Sequence, residues 1–387
     1  MLLNTYYDGV EIHREEKIVF AKFLVPHRVI STCRVAGGLQ DKICCLYNHQ
    51  SCEPAGHTHG LSRNLLNDPE AYRGDICRRH GLPADRAATL GTAANMNNAV
   101  LMQETFRNLA VVAVCTGGVE TNAGRAGDPA SVFETDDGFE TLCCATEAPG
   151  PGTINTMLFI NRPLTNGALT RVIMTATEAK SAALQELAVN SRYSDGLATG
   201  TGTDQIAVAA AAFDLAPLTS AGKHAKLGEL IGRATHRAVK KTLALQNNLT
   251  PAGQCSAKIH LERFGANRNS LKASIRRHLN DNDGELLSRN FTAVERDPVT
   301  VAAVAAAAHL KDKFTWQILP ESCWMEVMSA AATQIACAVS GKYHLTQPWR
   351  ERLTKACGPF TEENNEAFLA LICRALALGF ENKWHDQ

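Results

Sequence analysis

Three stretches rich in glycine and hydroxyl residues carry the groups that could do chemistry: TGGVETNAGRAGDPA (116–130), PGTINT (151–156) and ATGTGTD (198–204). Each adjoins an apolar run, LAVVAV, TMLFI and QIAVAAAAF respectively. Glycine lets backbone approach a ligand closely, and free N–H groups in such turns can hold developing negative charge. One such turn is commonplace, but three at strand ends predict a shared cleft. Cleaving an amide there needs an activated nucleophile and an oxyanion hole. Thr153, directly after Gly152, is a candidate nucleophile; its plain alternative is a β-branched residue opening a strand after a Pro-Gly turn. Asp204 either orients a base and accepts bonds from substrate amides or bonds the N–H groups of its own turn, and Asp128 and Asn122 face the same choice. Arg125 either holds a polar substrate group or pairs with Asp128. Glu178 and Lys180, near the edge of a helical apolar stripe, read as general base and charge stabiliser or as a solvated helix face.

Other chemistries have weaker patterns. His49, Cys52, His57 and His59 are all of zinc-ligating type, yet their spacing fits no standard site; the alternative is an exposed polar loop, and no metal is assigned. His224 and His236 are twelve residues apart, about 18 Å along a helix, too far to share an ion. ATGTGTD lacks the GxxxxGK[ST] pattern and TGGVETNAG lacks GxGxxG, so neither standard phosphate-binding motif is present. Cys115 ends an apolar strand before Thr116-Gly117 and reads as an exposed thiol or, more commonly for the residue type, a core cysteine.

The elements that must position these residues follow from periodicity. Residues 17–47 read as strands, 48–95 as an irregular insertion, 96–108 as a helix and 109–114 as a buried strand. A strand over 153–162, an amphipathic helix over 168–187 and a strand after Asp204 come next. A second helix spans about 220–247, with Ser220 as its N-cap. The remainder, 250–387, reads as mainly helical, with helices at 299–311, 323–339 and 364–379. The expected fold is mixed α/β (α+β): a sheet layered with helices over 1–249, and a helical C-terminal region over 250–387.

Composition narrows the classes. Of 387 residues 45% are hydrophobic and 20% charged, as in a globular protein, and equal numbers of basic and acidic residues leave no footprint for nucleic acid. The thirteen cysteines form no CxxC motif, and neither a signal peptide nor a membrane-length apolar run is visible. A cytoplasmic protein with free thiols and no membrane contact is the expectation.

The run GTINTMLFINRPLTNGALTRVIMTATEAKSAALQEL, then SRYSDGLATGTGTDQIAV and GKHAKLGELIGRA, resembles the adenosylcobinamide amidohydrolase family. TGGVETNAGRAGDPA and the early VISTCRVAGG fit the same family, so that the resemblance covers about 17–249 in order; 250–387 resembles no family. It implies hydrolysis of the amide joining the aminopropanol arm of adenosylcobinamide to the corrin, giving adenosylcobyric acid for cobalamin salvage. The substrate would be the cobalt corrinoid itself, with no other cofactor required. Another amidase or acyl-transfer enzyme on the same scaffold, or a corrinoid-binding protein without catalysis, are the alternatives. The order of Gly-Thr, strand, helix and Gly-Thr-Gly-Thr-Asp is also similar to self-cleaving N-terminal nucleophile hydrolases of the ornithine acetyltransferase and β-aminopeptidase type. That similarity implies Thr153 as nucleophile and Asn122 as an oxyanion-hole donor. Thr116, Gly117, Arg125, Asp128, Asn155, Thr199, Thr201 and Asp204 would contact the corrinoid in a large pocket with an apolar floor and a donor-rich rim. The helical region would cover that cleft or build a homo-oligomer.

Overall fold

A computed structural model describes residues 1–51, 68–136, 138–142, 152–360 and 365–384. The chain divides into two compact units, Met1–Leu249 and Thr250–Gln387.

The first unit is built in layers, α-helix, sheet, sheet, helices. Its outer sheet has five strands in the order β1 (Leu2–Tyr6), β2 (Val10–Glu15), β3 (Ile18–Phe23), β6 (Cys45–Gln50) and β7 (Ala87–Thr92). Its central sheet has six, in the order β5 (Gly38–Gln40), β4 (His27–Ser31), β15 (Gln205–Ala211), β13 (Ile154–Ile160), β9 (Leu109–Gly117) and β8 (Val100–Phe106). Helix α1 (Pro69–His80) packs Tyr72, Ile76 and Cys77 on Ile18, Phe20, Cys45 and Tyr47 of the outer sheet. Leu46, Ala88 and Leu90 of that sheet face Val112, Val114, Met157, Phe159 and Ala207 of the central one. The opposite face of the central sheet, with Val111, Leu158 and Val208, carries α2 (Asn166–Glu186) and α3 (Lys226–Asn247). Burial on both faces explains why β9 and β13 read as unbroken apolar runs rather than alternating ones. Replacing a fully buried side chain such as Phe159 by alanine would cost about 3–5 kcal/mol.

Three sequence expectations need correction. Residues 100–106 form strand β8, not a helix, and pair antiparallel with β9 from Val100↔Cys115 to Phe106↔Leu109. The two-residue turn Arg107–Asn108, with Arg107 left-handed (φ 54°), closes that hairpin, and cross-strand pairing overrides the helix-forming Gln103 and Glu104. The stretch 48–95 is not an irregular insertion where it is described. It holds the end of β6, helix α1 and strand β7, and α1 carries ordinary boundary signals: Asp68 caps the Ala71 N–H, Pro69 is the first helical residue and Gly81 (φ 63°) ends it. Ser220 does not cap α3, which starts at Lys226 after a turn in which Ala225 N–H bonds the Gly222 carbonyl.

Four small elements complete the unit: β10 (Ala123–Gly124) pairs with β14 (Gly200–Thr201), and β11 (Val132–Thr135) with β12 (Gly138–Thr141).

The second unit is helical: α4 (Pro251–Gln254), α5 (Ala257–Leu261), α6 (Arg268–Arg276), α7 (Asp281–Glu295), α8 (Pro298–Thr315), α9 (Trp324–Ser340), α10 (Thr346–Thr354) and α11 (Asn365–Glu381). Phe264, Leu287, Val304, Met328, Ile335, Leu371 and Leu376 lie in its core.

Candidate active site

Strand register brings the three glycine-rich stretches together. β13 and β15 run parallel with Asn155 opposite Gln205, an offset of 50 that places Gly152-Thr153 beside Gly202-Thr203. On the other side β9 is antiparallel, with Ile154 opposite Gly117 and Gly118 N–H donating to the Thr153 carbonyl at 3.1 Å. The ladder between β10 and β14 then joins the 116–130 loop to the 198–204 loop.

At the junction sits the carbonyl of Gly152. Asn122 Nδ2 donates to it at 2.9 Å, and the Thr203 hydroxyl donates to it at 2.9 Å. Thr203 Oγ1 also lies 2.6 Å from Thr153 Oγ1. A hydroxyl has one proton, so while Thr203 gives its proton to the carbonyl, Thr153 donates to Thr203. Tyr193 Oη donates to Asn122 Oδ1 at 2.7 Å, which turns the amide nitrogen of Asn122 toward Gly152. Burial, with the Asp128 carboxylate nearby, raises the Tyr193 phenol above its usual range and keeps it a donor. Gly152 has little room for a side chain: a Cβ would lie 3.0 Å from both Asn122 Cβ and the Gly118 carbonyl oxygen. Thr153 itself is 6% exposed.

Asp204 and Lys180 brace this arrangement. Asp204 accepts from Ile154 N–H at 2.8 Å, from Thr201 N–H at 3.0 Å and from the Thr201 hydroxyl at 2.5 Å, and it forms an ion pair with Lys180. Both side chains are largely buried. The carboxylate thus bonds its own turn, as one of its two sequence readings expects, and also ties that turn to the head of β13. A Cβ at Gly200 would meet Asp204 Oδ2 at 2.5 Å and Lys180 Nζ at 2.9 Å, so a side chain there would displace the ion pair. One residue further along β13, Asn155 joins the two sheets: its Nδ2 donates to Asn48 Oδ1 at 3.0 Å and to the Gly91 carbonyl at 2.9 Å, and its Oδ1 accepts from Gln205 N–H. Asn48 in turn donates to Thr116 Oγ1 at 2.7 Å.

The remaining predicted residues hold loops. Asp128 accepts from the Arg125 backbone N–H and from Ser191 Oγ, both at 2.6 Å. The Arg125 guanidinium donates to the Leu197 carbonyl at 3.1 Å rather than pairing with Asp128. Thr199 Oγ1 accepts from Ala126 N–H, and Gly117 leaves space for Leu243 of α3. Glu178 is not brought to the Thr153 cluster: it lies half-exposed on α2 and pairs with Lys223.

Cys115 is a core residue, 3.3 Å from Thr156 Oγ1, and burial pushes its thiol up to about 12, which removes the reactive thiolate near neutral pH. His49 is buried in β6 and bonded to Tyr72 Oη; burial, followed by the charges of His80, Lys17 and Arg79, lowers it to about 4. Cys52, His57 and His59 lie outside the described residues. Among the described residues no group of three His, Cys, Asp or Glu side chains is placed to hold a metal, and no helix is long and apolar enough to cross a membrane. A cavity of about 610 Å³ is lined by Arg14, Glu15, Glu16, Lys17, His49, Arg79 and His80 and does not reach Thr153. It is charged rather than apolar, unlike the pocket expected for a corrin.

Sequence reasoning overlooked Thr203, Tyr193 and Asn48. For Thr203 a signal existed: Gly152-Thr153 and Gly202-Thr203 are identical pairs, each leading into an apolar strand. Tyr193 and Asn48 come from distant loops and strands and leave no local pattern.

The layered unit gathers hydroxyls and an amide donor around one carbonyl, an arrangement of the kind acyl chemistry uses. A family model for adenosylcobinamide amidohydrolase matches residues 3–251, and the chain belongs to that family. The family is one of amidohydrolases, enzymes that cleave amide bonds with water. The chain is also 37% identical over 183 residues to an uncharacterized protein of Methanocaldococcus jannaschii, an alignment covering 46% of this chain and 71% of that relative.

Proposed function

We propose that the chain hydrolyses the amide joining the aminopropanol arm of adenosylcobinamide to the corrin, releasing adenosylcobyric acid, with Thr153 as nucleophile. The observation that carries this reading is the pair of donors, Asn122 Nδ2 and Thr203 Oγ1, converging on one carbonyl oxygen beside the Thr153 hydroxyl. Two donors aimed at a single acyl oxygen are what a tetrahedral intermediate needs, and here both are held before reaction by Tyr193 and by strand register. In this reading the Thr153 hydroxyl attacks the substrate carbonyl carbon, Asn122 and Thr203 take the oxyanion, and aminopropanol leaves as an amine. Water then hydrolyses the ester on Thr153. Asp204 and Lys180 keep the head of β13 in place and do not touch the reacting atoms. The corrinoid is the substrate and brings its own cobalt; no further cofactor enters the steps.

The test is incubation of purified protein with adenosylcobinamide and separation of the products. Adenosylcobyric acid and aminopropanol are expected in equal amounts. Unchanged adenosylcobinamide, with turnover of a different member of an amide panel, would transfer the chemistry to another substrate. A shift in the corrinoid visible spectrum with no product would make the chain a binding protein.

A further inference from the structure

The donors that suit a substrate oxyanion are already occupied, by the chain's own backbone. Gly152 carbonyl oxygen accepts from both Asn122 and Thr203, and the next residue is the proposed nucleophile. We propose that the Gly152–Thr153 peptide bond is the first amide this site cleaves, with Thr203 as the group that moves the proton; the inference rests on Thr153 being the nucleophile.

The hydrogen-bond order sets the path. Thr153 O–H donates to Thr203 Oγ1, and Thr203 O–H donates to the Gly152 oxygen. As Thr153 Oγ1 bonds to the Gly152 carbonyl carbon, its proton passes to Thr203, and Thr203 passes its own to the oxygen that is gaining charge. Asn122 stabilises the same oxygen. The C–N bond to Thr153 then breaks, the nitrogen takes up that proton as the carbonyl re-forms, and Gly152 is left as an ester on Thr153 Oγ1. One water hydrolyses the ester, giving a carboxyl group on Gly152 and a free hydroxyl and amine on Thr153. Atoms balance with one water consumed, and no oxidant or reductant is involved.

Two further observations support the step. First, the only hydrogen-bond partner of the Thr153 hydroxyl among the described residues is another hydroxyl, which is no base. Cleavage supplies one, because a new α-amine on Thr153 has an ordinary pKa of about 8 and sits on the nucleophile's own residue. Second, departure of the Gly152 carbonyl would free Asn122 Nδ2 and Thr203 Oγ1 for a substrate carbonyl. Among the described residues the uncut site is blocked and has no base bonded to Thr153; the cut site is open and has one. The tight seat of Gly152 against Asn122 Cβ and Gly118 holds the bond in register for attack.

The experiment is denaturing intact-mass measurement of the purified full chain over hours at neutral pH, with N-terminal sequencing and an adenosylcobinamide assay on the same samples. The expected result is two fragments, Met1–Gly152 and Thr153–Gln387, whose masses sum to the chain plus one water. Thr153→Ala should stay whole and Thr153→Ser should still cut. Thr203→Val should slow cutting on the order of 10²-fold, and Thr203→Ser should restore it. A chain that stays whole yet hydrolyses adenosylcobinamide overturns self-cleavage and leaves the proposed reaction standing, but not the Asn122–Thr203 donor pair as its oxyanion site, since Gly152 would still occupy both. A chain that cuts before Thr153 but leaves adenosylcobinamide intact keeps self-cleavage and defeats the proposed substrate. Cutting at another bond, or equal cutting in Thr153→Ala, overturns the inference.

Discussion

Buried polar groups serve different ends in the two units. In the helical unit they close on one another: Arg263 grips Asp312 through two bonds of 2.7 and 2.6 Å, and Glu295 is shared between Arg268 at 2.8 Å and Ser256 at 2.5 Å. In these two clusters each charge meets an opposite charge, and no two side-chain donors meet on one backbone carbonyl. In the sheet unit, Asn122, Thr203 and Thr153 converge on a backbone carbonyl. A satisfied network that ends on itself stiffens a fold, whereas one that ends on an acyl group is arranged for reaction. Burial of polar atoms alone does not separate the two cases; the convergence of two donors on one carbonyl oxygen beside a further hydroxyl does.

Substitutions can break this contrast. The largest expected effect is Thr153→Ala, which should lower adenosylcobinamide hydrolysis on the order of 10³-fold or more, read as initial rates. Asn122→Ala should cost about 10²–10³-fold, chiefly in kcat rather than KM, because its donor matters most when the oxygen is charged. In the helical unit Asp312→Ala removes the buried carboxylate that holds Arg263 and should cost about 3–5 kcal/mol in denaturant unfolding, with hydrolysis per native molecule unchanged. If that substitution instead reduces turnover of fully folded protein, the contrast between the units fails.

Acid should act mainly through the sheet unit, which holds the two histidines lowered furthest, although burial also lowers His260 and His278 of the helical unit. His27 and His49 are both lowered from 6.5 to about 4, mainly by burial, so the folded chain keeps them neutral. The unfolded chain takes up their protons first, near pH 6.5. Their contribution to stability is therefore complete above pH 6.5 and lost as pH falls toward 4. Thermal melts between pH 7 and 4 should show the decline, and His27→Gln should flatten it. The smallest expected effect is Tyr193→Phe. It removes one hydrogen bond to Asn122, about 1 kcal/mol, and should slow hydrolysis severalfold, detected by comparing kcat values.

Much of the central sheet was legible because its strands are buried on both faces and flanked by turns. TINTMLFINR and QIAVAAAAF could hardly be anything else, and the helix between them shows its stripe at Leu169, Val172, Ala176, Ala183 and Leu184. The hairpin of β8 and β9 was less legible, since Gln103 and Glu104 favour a helix in isolation and only pairing with β9 decides otherwise. At the site, local chemistry located the three loops but not their roles. Arg125, Asp128 and Thr199, chosen for their side chains, turn out to bond loop backbone and neighbouring hydroxyls. Glu178 and Lys180 both read as lying near the edge of the apolar stripe, yet a step of two residues on a helix turns the side chains about 200° apart, so Lys180 meets Asp204 while Glu178 meets Lys223. Thr203 acquires its place from parallel register with a strand fifty residues earlier, which no local window contains.

The strand order of the central sheet has a mechanical consequence. β15 and β13, which follow Gly152 in the chain, lie side by side in the middle, and β4 and β9, which precede it, bracket them. Severing the backbone before Thr153 would therefore yield two polypeptides woven through one sheet, each side of the later pair hydrogen-bonded to the earlier piece. Neither could diffuse away without stripping a strand ladder, so the nicked molecule would travel as a single particle on a sizing column and come apart only in denaturant.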